Sequence, residues 1–98
     1  MAELSSGAFC LKGHIDVPED RAEFVKAALA EHIRLTRDEP GCIFFNVEPC
    51  SDVAGRFTVS EAFVDKQAFD AHQERARNSP WAAASAGIPR EYKTWTVE

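Results

Sequence analysis

Cys42-Ile-Phe-Phe-Asn-Val-Glu48 is the stretch of this sequence that decides the fold. Aromatic and β-branched residues dominate it, and both kinds favour a β-strand. Alternation along a strand divides its apolar side chains between two faces, with Ile43, Phe45 and Val47 on one and Cys42 and Phe44 on the other. Because both faces carry large apolar side chains, the stretch predicts a sheet that is covered on both sides.

A helix precedes this strand in the sequence. Pro18-Glu19-Asp20 places a proline and two acids where a helix N-terminus favours them, and Pro40-Gly41 ends the helix. The sequence therefore predicts an amphipathic helix from about Pro18 to about Asp38. Its apolar face carries residues at helical spacing, namely Phe24, Val25, Ala28, Leu29, His32, Leu35 and Thr36.

The remaining elements follow from similar patterns. Alternation predicts strands at Phe9–Val17, Arg56–Phe63 and Tyr92–Val97, and residues 49–55 join the two central strands in a hairpin. Asp65 is a good N-cap for a second helix, which Pro80 breaks or redirects. The order βαββαβ is that of an α+β, ferredoxin-like fold, in which helices cover one face of an antiparallel sheet.

The second sheet face also needs cover. Phe44 and Trp95 fall on the face that the helices of one chain do not reach. The same face of another chain is the simplest cover, so the sequence predicts a homodimer through the sheet faces.

Composition and charge exclude several classes of protein. The 98 residues are 45% hydrophobic and 28% charged, which is typical of one folded domain spanning residues 1–98. A net charge of −5 argues against a nucleic-acid partner. No apolar run approaches the length of a membrane helix, and Met1–Gly7 lacks the pattern of a secretory signal, so a cytoplasmic location is expected.

Motifs that bind metals or cofactors are also absent. The sequence has no glycine-rich phosphate loop, no HExxH zinc motif and no GxSxG nucleophile motif. Cys10, Cys42 and Cys50 form no CxxC pair, so we expect reduced thiols that pack in the fold.

A few polar residues interrupt the apolar faces and are candidates for a functional site. His32 is either a buried residue bonded to a carbonyl group or part of a site. His72 lies on the sheet side of the second helix, where an imidazole has a structural role or acts as a base. Glu61 shares a strand face with Phe63, so its carboxyl group is either paired with a histidine or arginine or catalytic.

Three further residues have less specific signals. Asn46 is a polar residue within the two-faced strand, and Trp81 either packs or closes one end of a cavity. His14 lies beside Lys12 and is interpreted as structural or interfacial.

Three segments resemble the antibiotic biosynthesis monooxygenase (ABM) domain. They are His32-Ile-Arg-Leu-Thr-Arg-Asp-Glu-Pro-Gly-Cys-Ile-Phe-Phe-Asn-Val47, Phe57-Thr-Val-Ser-Glu-Ala-Phe-Val-Asp65 and Ala68-Phe-Asp-Ala-His72, and the similarity extends over about residues 8–97. The resemblance implies a dimeric α+β barrel, in which two ferredoxin-like chains pack their sheets face to face. It also implies a pocket between sheet and helices, where some members oxidise phenols or hydroquinones with O₂ and without metal or flavin.

The resemblance thus implies a small phenolic, hydroquinone or enol substrate, molecular oxygen as co-substrate and no cofactor. Carried over by position, the catalytic candidates are His72, Glu61 and His32, and the substrate-binding candidates are Asn46, Trp81 and Phe63. In this interpretation His72 is the base or proton shuttle and Glu61 is its partner or the base itself. Two alternatives stay open: an isomerase or lyase that moves protons on a small carbonyl compound, and a non-catalytic dimer that binds a small molecule.

Overall fold

The fold is a four-stranded antiparallel sheet with helices on one face. The computed structural model describes residues 4–98, so residues 1–3, at the start of the Met1–Gly7 stretch, lie outside it. Within that range the elements are β1 (Phe9–Asp16), α1 (Ala22–Arg37), β2 (Cys42–Pro49), β3 (Arg56–Phe63), α2 (Lys66–Arg77), α3 (Pro80–Ser85) and β4 (Arg90–Thr96). The strand order β2-β3-β1-β4 confirms the predicted α+β, ferredoxin-like fold.

Local sequence explains where the helices begin and end. Pro18 is extended, and a short 3₁₀ turn at Glu19–Arg21 separates it from α1, so the α-helix begins later than the proline suggests. The turn at Glu39–Gly41 follows α1, as predicted. Asp65 caps α2, because its carboxylate accepts a hydrogen bond from the backbone N–H of Ala68 at 2.8 Å.

The core lies between the sheet and the helices. One cluster joins sheet residues to α2, and its buried members are Phe9, Leu11, Val59, Phe63 and Phe69. A second cluster joins β1 to α1 and to the segment before β4, and its buried members are Ile15, Val17, Val25 and Ile88. Phe24, which helical spacing assigns to the same face as Val25, is instead 67% exposed. Neighbouring residues on a helix differ in direction by about 100°, and Val25 occupies the centre of the buried face.

A bulge changes the start of β2. Cys42 pairs with Phe63 and Phe44 pairs with the adjacent Ala62, so Ile43 is an extra residue in the strand. Cys42 therefore packs on the helix side, and Ile43 is 42% exposed. The prediction that Cys42 shares a face with Phe44 is wrong for this reason.

The sheet face opposite the helices is here called the open face. Its residues are related by the strand register and include Cys10, Lys12, His14, Phe44, Asn46, Ser60, Ala62 and Trp95. Trp95 is 44% exposed. All three cysteines are free thiols.

Between residues 4 and 98, no helix combines the length and the apolar character that crossing a membrane requires.

Candidate active site

A cavity of about 460 Å³ lies on the helix side of the sheet. This volume falls in the range of roughly 300–1,000 Å³ that is usual for small-molecule sites. Four of the predicted site residues line it together, namely His32 from α1, Glu61 from β3, His72 from α2 and Trp81 from α3. Residues 61 and 72 are brought together because β3 leads directly into α2, which packs back on the sheet.

His72 is held between two carboxyl groups. Its Nδ1 lies 2.8 Å from Oε1 of Glu39, and its Nε2 lies 3.9 Å from Oε1 of Glu61. The ring packs on Phe63, with 4.9 Å between ring centroids. A bond from Nδ1–H to Glu39 leaves Nε2 as the free proton acceptor, directed towards Glu61.

Glu39 belongs to a chain of hydrogen bonds between α1 and α2. Its Oε2 accepts a bond from Nε of Arg75 at 2.9 Å, and Nη2 of Arg75 donates to Oγ1 of Thr36 at 3.0 Å. The Thr36 hydroxyl in turn donates to the backbone carbonyl of His32 at 2.7 Å. The sequence interpretation missed Glu39 and Arg75. Two features of the sequence point to these residues: Glu39 opens the Glu-Pro-Gly turn that ends α1, and Arg75 lies one helical turn after His72.

Glu61 is buried beside this pair. Burial, assisted by the negative charge of Glu39, raises the pKa of Glu61 to about 7. Its Oε1 has no hydrogen-bond partner among the described residues. Near neutral pH, Glu61 therefore exchanges a proton readily and can either donate or accept one.

His32 is a neutral imidazole. Burial, with the nearby His72 and Arg75, lowers the pKa of His32 to about 3. Its ring stacks on Trp81, with centroids 5.1 Å apart and planes 9° apart. Nδ1 of His32 has no hydrogen-bond partner within residues 4–98, so the expected alternative of a bond from this atom to a carbonyl is not observed.

Burial also affects the protonation of His72. Desolvation lowers the pKa of His72, and the hydrogen bond and charge of Glu39 oppose that change. The imidazole is therefore mostly neutral at pH 7 and available as a base.

Tyr92 of β4 lines the cavity from the sheet side. Tyr92 pairs with Gly13, and a Cβ at Gly13 would lie 2.7 Å from Cδ1 of the tyrosine ring. The absence of a side chain at Gly13 thus makes room for the Tyr92 ring. Desolvation raises the pKa of Tyr92 to about 12, so its hydroxyl stays neutral.

Two predicted site residues lie elsewhere. Phe63 is buried under His72 and supports that ring. Asn46 lies on the open face, where it lines a separate depression with Lys12, His14 and Ser60. It does so because strand alternation places Asn46 on the side opposite Phe45.

Possible metal ligands are scattered in the described part of the chain. Between residues 4 and 98, no three histidine, cysteine, aspartate or glutamate side chains are grouped as metal ligands. The arrangement of His72 between Glu39 and Glu61 is suited to proton transfer between a bound molecule, an imidazole and a carboxyl group.

Comparison with known proteins places the chain among others of this fold. A proposed antibiotic biosynthesis monooxygenase from Nitrosomonas europaea is 22% identical and superposes with a TM-score of 0.81, covering 97% of this chain and 94% of that chain. A protein from Shewanella oneidensis is 25% identical, with a TM-score of 0.75 and coverage of 95% and 93%. SnoaB, a cofactor-independent oxygenase from Streptomyces nogalater, is 17% identical, with a TM-score of 0.77 and coverage of 95% of both chains.

Sequence comparison identifies the family. No curated protein matches the sequence significantly. The family model described as antibiotic biosynthesis monooxygenase matches residues 8–84, which is more than half of the sequence. The chain therefore belongs to the antibiotic biosynthesis monooxygenase family.

Proposed function

We propose that this protein is a cofactor-independent monooxygenase, which oxidises a small phenolic, hydroquinone or enol substrate with O₂ in the cavity between sheet and helices. The observation that carries the proposal is the position of His72, which is buried and held at Nδ1 by Glu39, so that Nε2 is directed towards Glu61 in the cavity lining. Family membership and the name of SnoaB support the same reaction class.

The first step in this proposal is proton transfer to His72. A hydroquinone hydroxyl near Nε2 gives up its proton, and the resulting anion is electron-rich enough to reduce O₂ directly. For a simple hydroquinone the balance is hydroquinone plus O₂ giving hydroxyquinone plus water. The substrate supplies all four electrons, so no external reductant is needed.

Other cavity residues stabilise the anion and exclude water. His32 lines the cavity and its buried Nδ1 has no partner within the described residues, so a small shift of the ring in the tautomer with Nδ1–H would let it donate to an oxyanion. Glu61 accepts or returns the proton that His72 receives through one bridging water, because Oε1 and Nε2 are 3.9 Å apart, beyond direct hydrogen-bond distance. Trp81 and His32 stack to form an aromatic wall for a planar ring. Asn46, on the open face, is assigned no part in this mechanism.

A second candidate function uses the same groups without oxygen. The proximity of two proton carriers, His72 and Glu61, also favours an isomerase or lyase that moves a proton on a small carbonyl compound. Oxygen consumption separates the two reactions, because only the monooxygenase uses O₂.

The test is oxygen uptake by the pure protein with a panel of hydroquinones and enols. His72→Ala should lower turnover per folded protein by about 10²- to 10⁴-fold, as the loss of a general base does. His14→Ala is the matched control, since His14 lies on the open face, and it should leave turnover near that of the wild type.

Stability must be measured alongside turnover. A purely structural His72 would cost about 1–3 kcal/mol of unfolding free energy when removed, while the remaining folded protein would keep its activity. Near-normal turnover by His72→Ala would therefore contradict the proposal. Full activity after chelation, with no stoichiometric metal in the preparation, is the expected result for cofactor independence.

A further inference from the structure

Two arginines lie at the rim of the cavity. Arg77 and Arg90 are exposed and line the same cavity as the buried residues His72 and Glu61. Within the described residues, Glu61 is the one carboxyl group of the lining. The rim is therefore cationic, although the whole chain carries a net charge of −5.

Arg90 is oriented by the protein backbone. Its Nε donates to the carbonyl of Ile88 at 3.2 Å, and its Nη2 donates to the carbonyl of Ser85. These bonds attach the guanidinium to the last residue of α3 and to the segment that follows it, beside the cavity. Because a guanidinium has five N–H groups, several of them remain able to bind an anion.

The charge of Arg90 is not neutralised by a neighbouring acid. Four other arginines, Arg34, Arg56, Arg75 and Arg77, form ion pairs with carboxylates. Among residues 4–98, no carboxylate oxygen lies within 4.0 Å of a nitrogen of the Arg90 guanidinium. Arg77 shares its charge with Glu74, so of the two rim arginines Arg90 has the more available charge.

The inner part of the cavity is aromatic. His32 and Trp81 form a stacked aromatic wall there, and the imidazole of His32 is neutral. A ligand that fits both parts has a planar ring at the inner end and an anionic group at the rim.

We propose that the substrate of this cavity is an aromatic or enolic acid, whose anionic group, a carboxylate or a phosphate, binds Arg90 with help from Arg77 while its hydroxyl lies against His72. This inference rests on the proposed function, because it takes the cavity to be the substrate site. It adds that the substrate is charged and that the charge is recognised at β4.

The test compares matched probes by equilibrium dialysis under nitrogen, with the full chain. The probes are 2,5-dihydroxybenzoate, 4-hydroxyphenyl phosphate and the neutral 2,5-dihydroxybenzamide. We expect at least one acid to bind about tenfold or more tightly than the amide, as charge-assisted hydrogen bonds require. The two acids distinguish a carboxylate from a phosphate. Added salt should weaken binding of the acid and leave binding of the amide unchanged.

Two variants assign the effect to the rim. Arg90→Gln should weaken binding of the preferred acid by about 10- to 100-fold and change binding of the amide by less than about twofold. Arg34→Gln is the control, because it removes the same charge from an exposed position on α1 outside the cavity lining. Arg77→Gln should give a smaller loss and serves if Arg90→Gln fails to fold, because the one side-chain partner of Arg77 within residues 4–98 is the exposed Glu74.

Equal affinity for acids and amide, no binding of any probe, or equal losses for Arg90→Gln and Arg34→Gln would overturn the inference. Oxygen uptake tests the proposed function separately. Charge-selective binding without oxygen uptake would leave the inference standing and reject the monooxygenase, and oxygen uptake without charge selectivity would do the reverse.

Discussion

At the scale of single residues, Glu39 determines how His72 can act. The imidazole is buried, and burial alone would leave its orientation and tautomer open. The 2.8 Å contact with Glu39 occupies Nδ1, and Arg75 keeps the Glu39 carboxylate in position through its own 2.9 Å bond. His72, Glu61 and His32 could be selected from sequence, because each is a polar residue on an apolar face. Glu39 could not be selected in this way, since it lies in a turn, where acids are common and periodicity carries no information.

The first prediction concerns Glu39 as a positioning residue. Glu39→Gln keeps the shape and one acceptor atom but removes the charge, so it should lower the pKa of His72 further and reduce turnover by about 10- to 100-fold. NMR titration of the His72 imidazole measures the pKa without any substrate. Glu31→Gln is the control, because Glu31 pairs with Arg34 on the exposed side of α1. An unchanged His72 titration in Glu39→Gln would show that the carboxylate does not act on the imidazole.

The second prediction concerns the pH dependence of stability at Glu61. The pKa of Glu61 rises on folding from 4.5 to about 7, so between these values the unfolded chain releases a proton that the folded chain retains. The contribution of Glu61 to the free energy of unfolding therefore falls as pH rises through this window, by up to about 3 kcal/mol. Glu61→Gln removes this loss, so the variant should gain stability relative to the wild type between pH 4.5 and 8.

Urea unfolding of Glu61→Gln and the wild type at pH 4.5 and at pH 8, at one protein concentration, measures this difference in stability. Glu23→Gln on the exposed side of α1 is the control and should differ from the wild type equally at both pH values. A Glu61→Gln difference that does not change with pH would mean that Glu61 is ionised normally in the folded protein.

At the scale of elements, the sequence predicts most of the fold because its signals are local. The predicted range of β3 agrees with the structure, since alternation continues from Arg56 to Phe63 without interruption. The bulge at Ile43 could not be predicted, because it depends on how β2 pairs with β3, and Ile43 and Phe44 both have the high β-propensity of a regular strand. The exposure of Phe24 likewise depends on how α1 is rotated on the sheet.

The third prediction concerns the start of α2, the helix that carries His72. Asp65→Ala removes the side-chain acceptor for the Ala68 N–H and should lower the free energy of unfolding by about 1 kcal/mol. Urea denaturation measures the change. Asp52→Ala, an exposed aspartate between β2 and β3, is the control and should change stability by less than about 0.5 kcal/mol. Equal effects of the two substitutions would rule out a specific contribution from the cap.

At the scale of the whole molecule, the sheet has two different faces. The helix side holds the core and the cavity, whereas the open face carries Phe44 and Trp95 beside charged residues such as Lys12. The sequence indicates that both sheet faces need cover, because β2 has apolar side chains on each of them. What covers the open face depends on a second molecule, so the homodimer stays a prediction.

The last prediction tests that homodimer through Trp95. Trp95→Glu would bring a charge into the sheet-to-sheet interface, where burial removes the water that stabilises a charge, so this variant should sediment as a folded monomer at micromolar concentration. Phe24→Glu is the control: Phe24 is also a large exposed apolar residue, but it lies on α1, on the opposite side of the molecule, so this variant should remain a dimer. Because Trp95 is 44% exposed in a single chain, its loss should leave the fold intact, which far-UV circular dichroism can check. A monomeric wild-type protein would refute the prediction, and dissociation by Phe24→Glu alone would place the interface on the helices instead of the open face.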